Sequence, residues 1–361
     1  MDLSIVIVSW NVKDKLRECL KSVEETCPSI APHPNPLPQG EREIVRREEA
    51  TNNPSPATGR GQGEGLSCEV FVVDNASKDG TVVMLEKEFP SVHLIANNFN
   101  AGFAKANNQA IRLSQGRYVL LLNPDMRVFL ETLVAMVKFM DDPVNARVGV
   151  AGCHLVSPSP VPHPNPLPHG EREFAQSDGI KTIPSLATGR GQGEGDDYTT
   201  VLHVRRFPGF VDQLAIMLKV PHLFPRVLDS YMMPNFDYGK EARVDSIRGS
   251  FFMIRREVLN KIGMLDEGFF IWFEEVDFCK RAMEAGYEIA YTPSVHAVDY
   301  VGQSFKQVKF YPKQKMFTRS MVYYFKKHAP FWQYRLLWAM RPVALAVAWV
   351  KDCICSNAIF T

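Results

Sequence analysis

Residues Tyr118–Asp125 read YVLLLNPD. Five apolar residues run straight into Asn123, Pro124 and Asp125. A short apolar run with polar punctuation predicts a strand buried on both faces. Proline donates no hydrogen bond to a ladder, so the strand must end at Pro124. Asp125 is then delivered to the carboxyl edge of a parallel sheet, where open α/β sheets bind their ligands. A carboxylate there suits a hard divalent cation that holds phosphate oxygens. An ordinary aspartate at a strand-to-turn junction accounts for this segment equally well.

The flanking sequence repeats the pattern. SIVIVSWN (Ser4–Asn11) is another apolar strand ending in polar groups. Asn11 is expected to cap an amphipathic helix with Val12, Leu16, Leu20 and Val23 on one face. EVFVVD ends at Asp74 and enters the turn Asn75–Gly80. A helix with Val82, Leu85 and Phe89 inward comes next, then HLIAN (His93–Asn97) and the glycine-opened helix AGFAKANNQAI. Alternating strands and helices imply right-handed βαβ units and a mostly parallel sheet. Three strands end in Asn11, Asp74 and Asp125, so these polar groups are expected to converge on one crevice. A Rossmann dehydrogenase would need GxGxxG after the first strand, and SWNVKD has no glycine.

Two segments interrupt the pattern. HPNPLPQGERE (His33–Glu43) returns as HPNPLPHGERE (His163–Glu173), and ATGRGQGEG occurs at both Ala57–Gly65 and Ala187–Gly195. This composition cannot build a core, so surface insertions at about 31–65 and 158–195 are expected rather than a paired recognition element. The spacing agrees: removing the 35 residues Ala31–Gly65 from the 63 positions between Asn11 and Asp74 leaves 28. That is the size of a βαβ unit of roughly 30 residues. Deleting Ala31–Gly65 and most of Pro158–Gly195 is expected to preserve fold and activity, since long loops are cheap in closure entropy. Insolubility or lost turnover of the shortened protein would show that the segments pack on the domain.

The 361 residues are 45% hydrophobic and carry a net charge of +1. That predicts one large domain with an appendage and argues against a nucleic-acid partner held by bulk charge. Seven scattered cysteines with no metal-ligand spacing predict reduced thiols in a cytoplasmic protein. The chain opens on a core strand, which predicts no secretory leader.

Read together, SIVIVSWN, VVDNASKDGT, NFNAGFAKANNQAI, LLLNPD and GSFFMIRREVLNKIGMLDEGFFIWFEEVDFCKR resemble the glycosyltransferases of family 2. The likeness is to their bacterial rhamnosyltransferase-like subgroup and runs from residue 1 to about 325. It implies a GT-A fold over 1–315, a C-terminal helical segment over 316–361, and inverting transfer of a sugar. The donor implied is a nucleoside diphosphate sugar of the dTDP-rhamnose or UDP-sugar type. The acceptor implied is a saccharide or polyprenyl-linked molecule in cell-surface polysaccharide synthesis. Asp125 matches the last acid of the family's DxD-like motif and would hold Mg²⁺ or Mn²⁺; Asn123 replaces the first. Asp74 matches the residue that accepts a hydrogen bond from the nucleobase, with turn capping as its other role. Ser9 and Asn11 would line the same pocket. Gly102 would let the backbone approach the donor, and Asn108 would contact that region or order it from behind. The contrasting expectation is a catalytically impaired nucleotide-sugar-binding or membrane scaffold protein.

On the acceptor side, DEGFFIWFEEVDFCKR places Asp266, Glu267, Glu274, Glu275 and Asp277 around Phe269, Phe270, Trp272 and Phe273. The helix dipole explains one or two carboxylates in a first turn. An aromatic wall beside them suits a sugar ring and raises a carboxylate toward useful base strength. The family's general base falls on Glu275, one methylene longer than the usual acid. Asp277 is expected in the catalytic site as an orienting group held by Arg281, with Trp272 and Glu274 binding acceptor. Downstream the family has His, two residues, Gly, one residue, Ser; here Asp299 stands in the histidine's place and is a candidate metal ligand. His296 is the other candidate, or a satisfied histidine on a strand.

From Tyr323 the tail is aromatic and basic. Pro342–Val350 is too short to span a bilayer. Trp and Arg beside aliphatic residues suit a helix lying at the inner face of the membrane, against the alternative of a helix pair packed on the domain. Pro342 is expected at a kink or at the start of a new helix.

Overall fold

The computed structural model describes residues 1–27, 65–158, 198–300 and 308–357. The first half of the fold follows the apolar runs. Strand β1 (Leu3–Ser9) leads to α1 (Lys13–Thr26), β2 (Cys68–Asp74) to α2 (Thr81–Glu88), and β3 (His93–Ala96) to α3 (Phe103–Leu113). The octapeptide forms β4 (Tyr118–Leu122), buried at every position. It stops before Asn123 and Pro124, as a residue without an N–H requires.

These strands stand in the order β3-β2-β1-β4, all parallel. The order reverses between β1 and β4, so the crevice at their carboxyl ends is a topological switch point. Beyond β4 the sheet is mixed. Strand β9 (Phe251–Arg255) lies antiparallel between β4 and β6 (Val148–Pro158), β10 (Glu288–Asp299) runs parallel to β6, and β5 (Met126–Val128) closes the edge antiparallel to β10. Two short strands, β7 (Tyr198–Thr200) and β8 (Ala242–Arg243), hang on β6 and β10. The parallel expectation holds for β1 to β4, whose crossovers each contain a helix, and fails beyond β4, where β9 runs antiparallel to both its neighbours and β5, β7 and β8 also pair antiparallel.

Both faces are covered. Helices α1, α2 and α4 (Thr132–Asp141) bury Leu16, Leu20, Leu85, Leu133 and Met136 on one face. On the other lie α3, α7 (Arg256–Ile262) and α8 (Glu274–Glu284), burying Ala106, Ile111, Val258, Phe278 and Ala282. Between β7 and β8 come the helices α5 (Phe210–Met217) and α6 (Asp229–Met232). The chain ends in α9 (Phe310–His328) and α10 (Phe331–Asn357). Helix α10 continues through Pro342, so that proline does not open a new helix. The two insertions fall almost wholly outside the described residues. Cys27 and Cys68, at the flanks of the first, form a disulfide, which corrects the expectation that all seven thiols are reduced. Cys19, Cys153 and Cys279 are free and buried.

Candidate functional site

The donor end is built by two strand ends and one turn. Ser9 and Asp74 are register partners in β1 and β2, and the Ser9 carbonyl accepts from Asn75 N at 2.8 Å. Asp74 is 1% exposed. Its Oδ2 accepts from Ser77 N at 2.9 Å, which caps the turn, while Oδ1 is buried with no hydrogen-bond partner among the described residues. The two roles open for Asp74 thus fall on different oxygens. Burial pushes its carboxyl above the ordinary value, against the hydrogen bonds from Ser77. The hydroxyls of Ser9 and Ser250 are likewise buried and unpartnered among the described residues. Orphaned polar atoms are rare in native structures, and a ligand is one way to satisfy them.

Asn11, Gly102 and Asn108 are each engaged by protein groups. Asn11 sits in the left-handed region at φ 53° and does not cap α1. Its Oδ1 accepts from Lys78 N at 2.7 Å and its N–H donates to Ser77 Oγ at 2.9 Å, so it locks the 75–80 turn. Asp79 does the capping instead, accepting from Lys13 N at 2.8 Å; its distance in sequence hid it. Gly102, at φ 85°, makes a close approach to protein: an added Cβ would lie 2.6 Å from the Phe270 carbonyl, which accepts from Phe103 N at 2.7 Å. Asn108 is 1% exposed and donates to the Leu265 carbonyl and Glu267 Oε1 while accepting from Leu265 N. Its amide is committed to ordering the 265–267 loop, the second of the two roles open for it.

Asp125 and Asp299, the two candidate metal ligands, lie on neighbouring backbone where β10 pairs with β5. Both are buried, Asp299 pairs in register with Met126, and Tyr300 N donates to the Asp125 carbonyl at 3.1 Å. No group of three or more His, Cys, Asp or Glu among the described residues could hold a metal. Two carboxylates fit the case in which substrate phosphates complete the coordination, the usual arrangement for Mg²⁺. Arg248 stands 3.8 Å from Asp299 Oδ2, so that carboxylate already faces a cation. His296 lies on β10 with its ring 5.2 Å from that of His154, facing a histidine rather than the acid pair. Gly302 and Ser304 lie outside the described residues.

The acceptor end joins the donor end through residues 246–250. Asn123 N donates to the Ser250 carbonyl at 2.9 Å, and a Cβ on neighbouring Gly249 would lie 3.8 Å from Glu275 Cβ. Glu275 opens α8 behind Trp272 and Phe273, two consecutive left-handed residues at φ 64° and 70°. Such a pair is strained for bulky side chains and persists where packing over-determines it. Here Phe269 and Phe273 are buried among Met321, Tyr324 and Phe325 of α9, and Trp272 stacks edge-on to Phe317 at 6.0 Å. Phe269 and Phe273 are therefore core, while Phe270 and Trp272 stay half-buried, so only part of the run is left to form the aromatic wall expected from sequence. Glu274 is 3% exposed, and its Oε2, like that of Glu275, has no hydrogen-bond partner among the described residues. Burial and then the charge of Glu275 hold Glu274 well above the carboxylate range. Burial raises Glu275 too, opposed by Arg205 and Arg248.

Asp277 has its carboxylate oxygens engaged by protein partners. It is fully buried, with Oδ1 2.7 Å from both His328 Nε2 and Lys327 Nζ and Oδ2 2.8 Å from Arg281 Nε. Arg281 holds it as expected; the two partners from α9 could not be foreseen. Asp266 accepts from Gly268 N, Tyr323 and Lys327, and Glu267 from Asn108 and Arg112. Glu274 and Glu275 are what remain. Arg248 and Arg205 were missed by sequence reasoning. The first carried a signal, standing just before the Gly249-Ser250 step; the second carried none, since a backbone bridge to Ser246 brings it here.

The family model described as Glycosyl transferase family 2 matches residues 59–185. Rhamnosyltransferase WbbL of Escherichia coli (strain K12) is 23% identical over 207 residues, which cover 55% of this chain and 61% of that protein. The N-acetylglucosaminyl-diphospho-decaprenol L-rhamnosyltransferase of Mycobacterium tuberculosis (strain ATCC 25618 / H37Rv) is 21% identical over 332 residues, 88% of this chain and 90% of that one. Mannosyltransferase PcManGT from Pyrobaculum calidifontis, solved with GDP-Man and Mn²⁺, has a TM-score of 0.47 and 18% identity, covering 99% of this chain and 75% of that chain. The chain is similar to family 2 glycosyltransferases and to their rhamnosyltransferase-like members. Its architecture is the α/β sheet with flanking helices and helical C-terminal segment expected of it.

Proposed function

We propose that the chain is an inverting glycosyltransferase that moves a sugar from a nucleoside diphosphate to a saccharide or polyprenyl-linked acceptor. The observation that carries this reading is a pair of buried carboxyl oxygens, Asp74 Oδ1 and Glu275 Oε2, without hydrogen-bond partners among the described residues. One belongs to the strand end suited to a nucleobase, the other to the helix start suited to an acceptor hydroxyl. Glu275 takes the proton of that hydroxyl; its oxygen bonds to the anomeric carbon as the bond to the donor phosphate breaks. The nucleoside diphosphate leaves, and no covalent enzyme intermediate is required. A divalent cation held by Asp125, with Asp299, would neutralise charge on the departing diphosphate. Arg248 adds a fixed positive charge beside that pair. The transferase body is taken as residues 1 to about 315, a boundary that falls inside α9, whose Met321, Tyr324 and Phe325 pack with Phe269 and Phe273. The relatives' names support this choice of donor and acceptor class: two are rhamnosyltransferases, and the name of one of these includes diphospho-decaprenol.

Thermal-shift measurements with UDP-, dTDP- and GDP-sugars and Mn²⁺, followed by donor hydrolysis, test the reading. Stabilisation by none of them, with no hydrolysis, would overturn it. Asp74→Ala is expected to weaken UDP or dTDP binding by about 1–3 kcal/mol, the cost of losing a charged hydrogen-bond partner. Unchanged calorimetric affinity for both nucleotides would leave Asp74 to turn capping alone. The raised carboxyl of Glu275 also fixes a pH dependence. The base works only when deprotonated, so transfer falls as pH drops through a value above that of a free glutamate, about 4.3. A kcat/KM profile whose acid limb sits at the free-glutamate value would exclude Glu275 as the titrating base.

A further inference from the structure

The exposed apolar surface of this chain is concentrated in one region. Thirteen of the nineteen exposed large apolar side chains among the described residues lie on α10 or between Val211 and Val227. On α10, Leu337, Ala344 and Ala348 form the buried stripe, while Trp332, Trp338 and Trp349 are each more than half exposed. Beside it, Leu223 is 78% and Phe224 66% exposed. The two elements are neighbours: Met217 packs in one cluster with Leu337 and Ala344, and the rings of Phe210 and Trp332 meet edge-on at 5.1 Å. Scattered exposed apolar residues need no explanation, but a contiguous patch marks an interaction surface.

Charge decides the occupant. The two elements, α10 and residues 211–227, hold five Lys and Arg (Lys219, Arg226, Arg335, Arg341 and Lys351) against Asp212 and, on α10, a single Asp, in a chain whose net charge is +1. That Asp, Asp352, is engaged with the backbone N–H groups of Phe310 and Tyr311. A symmetric contact between two copies would press this cationic region against itself, which like charges oppose. An anionic lipid headgroup layer suits it, with tryptophans at the boundary between headgroups and acyl chains. No helix among the described residues is long and apolar enough to cross a membrane, so the contact lies along the surface.

We infer that the outer face of α10 and the adjoining 211–227 segment dock as one platform on an anionic phospholipid bilayer. The inference deepens the transferase reading by assigning its acceptor to a lipid surface. The platform is tied to the acceptor side: Ser320 Oγ donates to the Ile271 carbonyl at 2.7 Å, and Lys327 and His328 reach Asp277. Docking would therefore hold the Glu275 end of the crevice at a fixed position above the headgroups.

Sedimentation of the full chain with phosphatidylglycerol-containing vesicles and with pure phosphatidylcholine vesicles tests it. The wild type is expected to sediment with the anionic vesicles and to bind the neutral ones at least tenfold more weakly. Trp338→Ser combined with Trp349→Ser should weaken anionic-vesicle binding about tenfold or more, since each exposed indole loses its apolar partner. Phe224→Ser should weaken it as well. Unchanged circular dichroism and melting confirm that these surface variants fold. A wild type that stays in the supernatant, or binds both vesicles equally, overturns the inference. So do variants that bind like wild type, or a wild-type dimer that the double variant converts to monomer. Nucleotide binding measured without vesicles tests the transferase reading separately, so the two can fail independently.

Discussion

Glu275→Gln is expected to lower sugar transfer by about 10²–10⁴-fold, the usual contribution of a general base. The amide keeps the volume and shape of the side chain and removes only the proton acceptor. The position is chosen by elimination among the acceptor-side acids. Asp266, Glu267 and Asp277 are committed to hydrogen bonds and ion pairs. Glu274 is almost wholly buried and held toward its neutral form. Glu275, like Glu274, keeps an oxygen without a hydrogen-bond partner among the described residues; burial raises it too, but Arg205 and Arg248 oppose that rise. Nucleotide affinity should be nearly unchanged, because the residue belongs to α8 and not to the β1–β2 edge. Glu275→Asp should match or exceed the wild type, because it keeps the carboxylate and restores the shorter acid of the family pattern. Glu274→Gln should be milder. Transfer to acceptor and calorimetry of UDP or dTDP binding are measured in parallel. Wild-type transfer by Glu275→Gln would show that another group takes the proton.

The parts of this fold that were legible in sequence are those set by local rules. Each apolar run became a strand, and Pro124 ended β4 where a missing N–H must. The polar strand ends Ser9 and Asp74 met because parallel strands in register carry their termini to the same edge. What was not legible depended on partners distant in sequence. Asp79 caps α1 across the first insertion, a pairing no window over Asn11–Lys13 reveals. Phe269 and Phe273 look like a ligand wall until α9 folds over them; an aromatic run has the same sequence whether it faces solvent or another helix. Asn108 and Gly102 were matched to the donor by motif, yet their contacts run to the 265–270 loop. Motif positions mark where backbone must be ordered, and ordering is needed behind a site as well as in it.

Asp277 carries the clearest instance of that difference, and a large stability effect should expose it. Asp277→Ala is expected to cost about 3–5 kcal/mol, because it leaves buried partners without a counter-charge. Asp277 itself is fully buried, and the side chains of Arg281 and His328 are only 17% and 8% exposed. The cost falls on the junction between α8 and α9, since Arg281 belongs to one helix and Lys327 and His328 to the other. Lys327→Met should cost less than losing the shared carboxylate, because Asp277 keeps Arg281 and His328 and Asp266 keeps Gly268 N and Tyr323. Urea unfolding at neutral pH reads the loss as a lower midpoint with an unchanged slope. Transfer is then measured per folded molecule at a temperature well below the new midpoint. A positioning role predicts that molecules remaining folded still turn over, with activity restored in part by ligand-induced stabilisation. If Asp277→Ala melts like wild type but transfers no sugar, Asp277 acts in the chemistry and the assignment of the base to Glu275 fails with it.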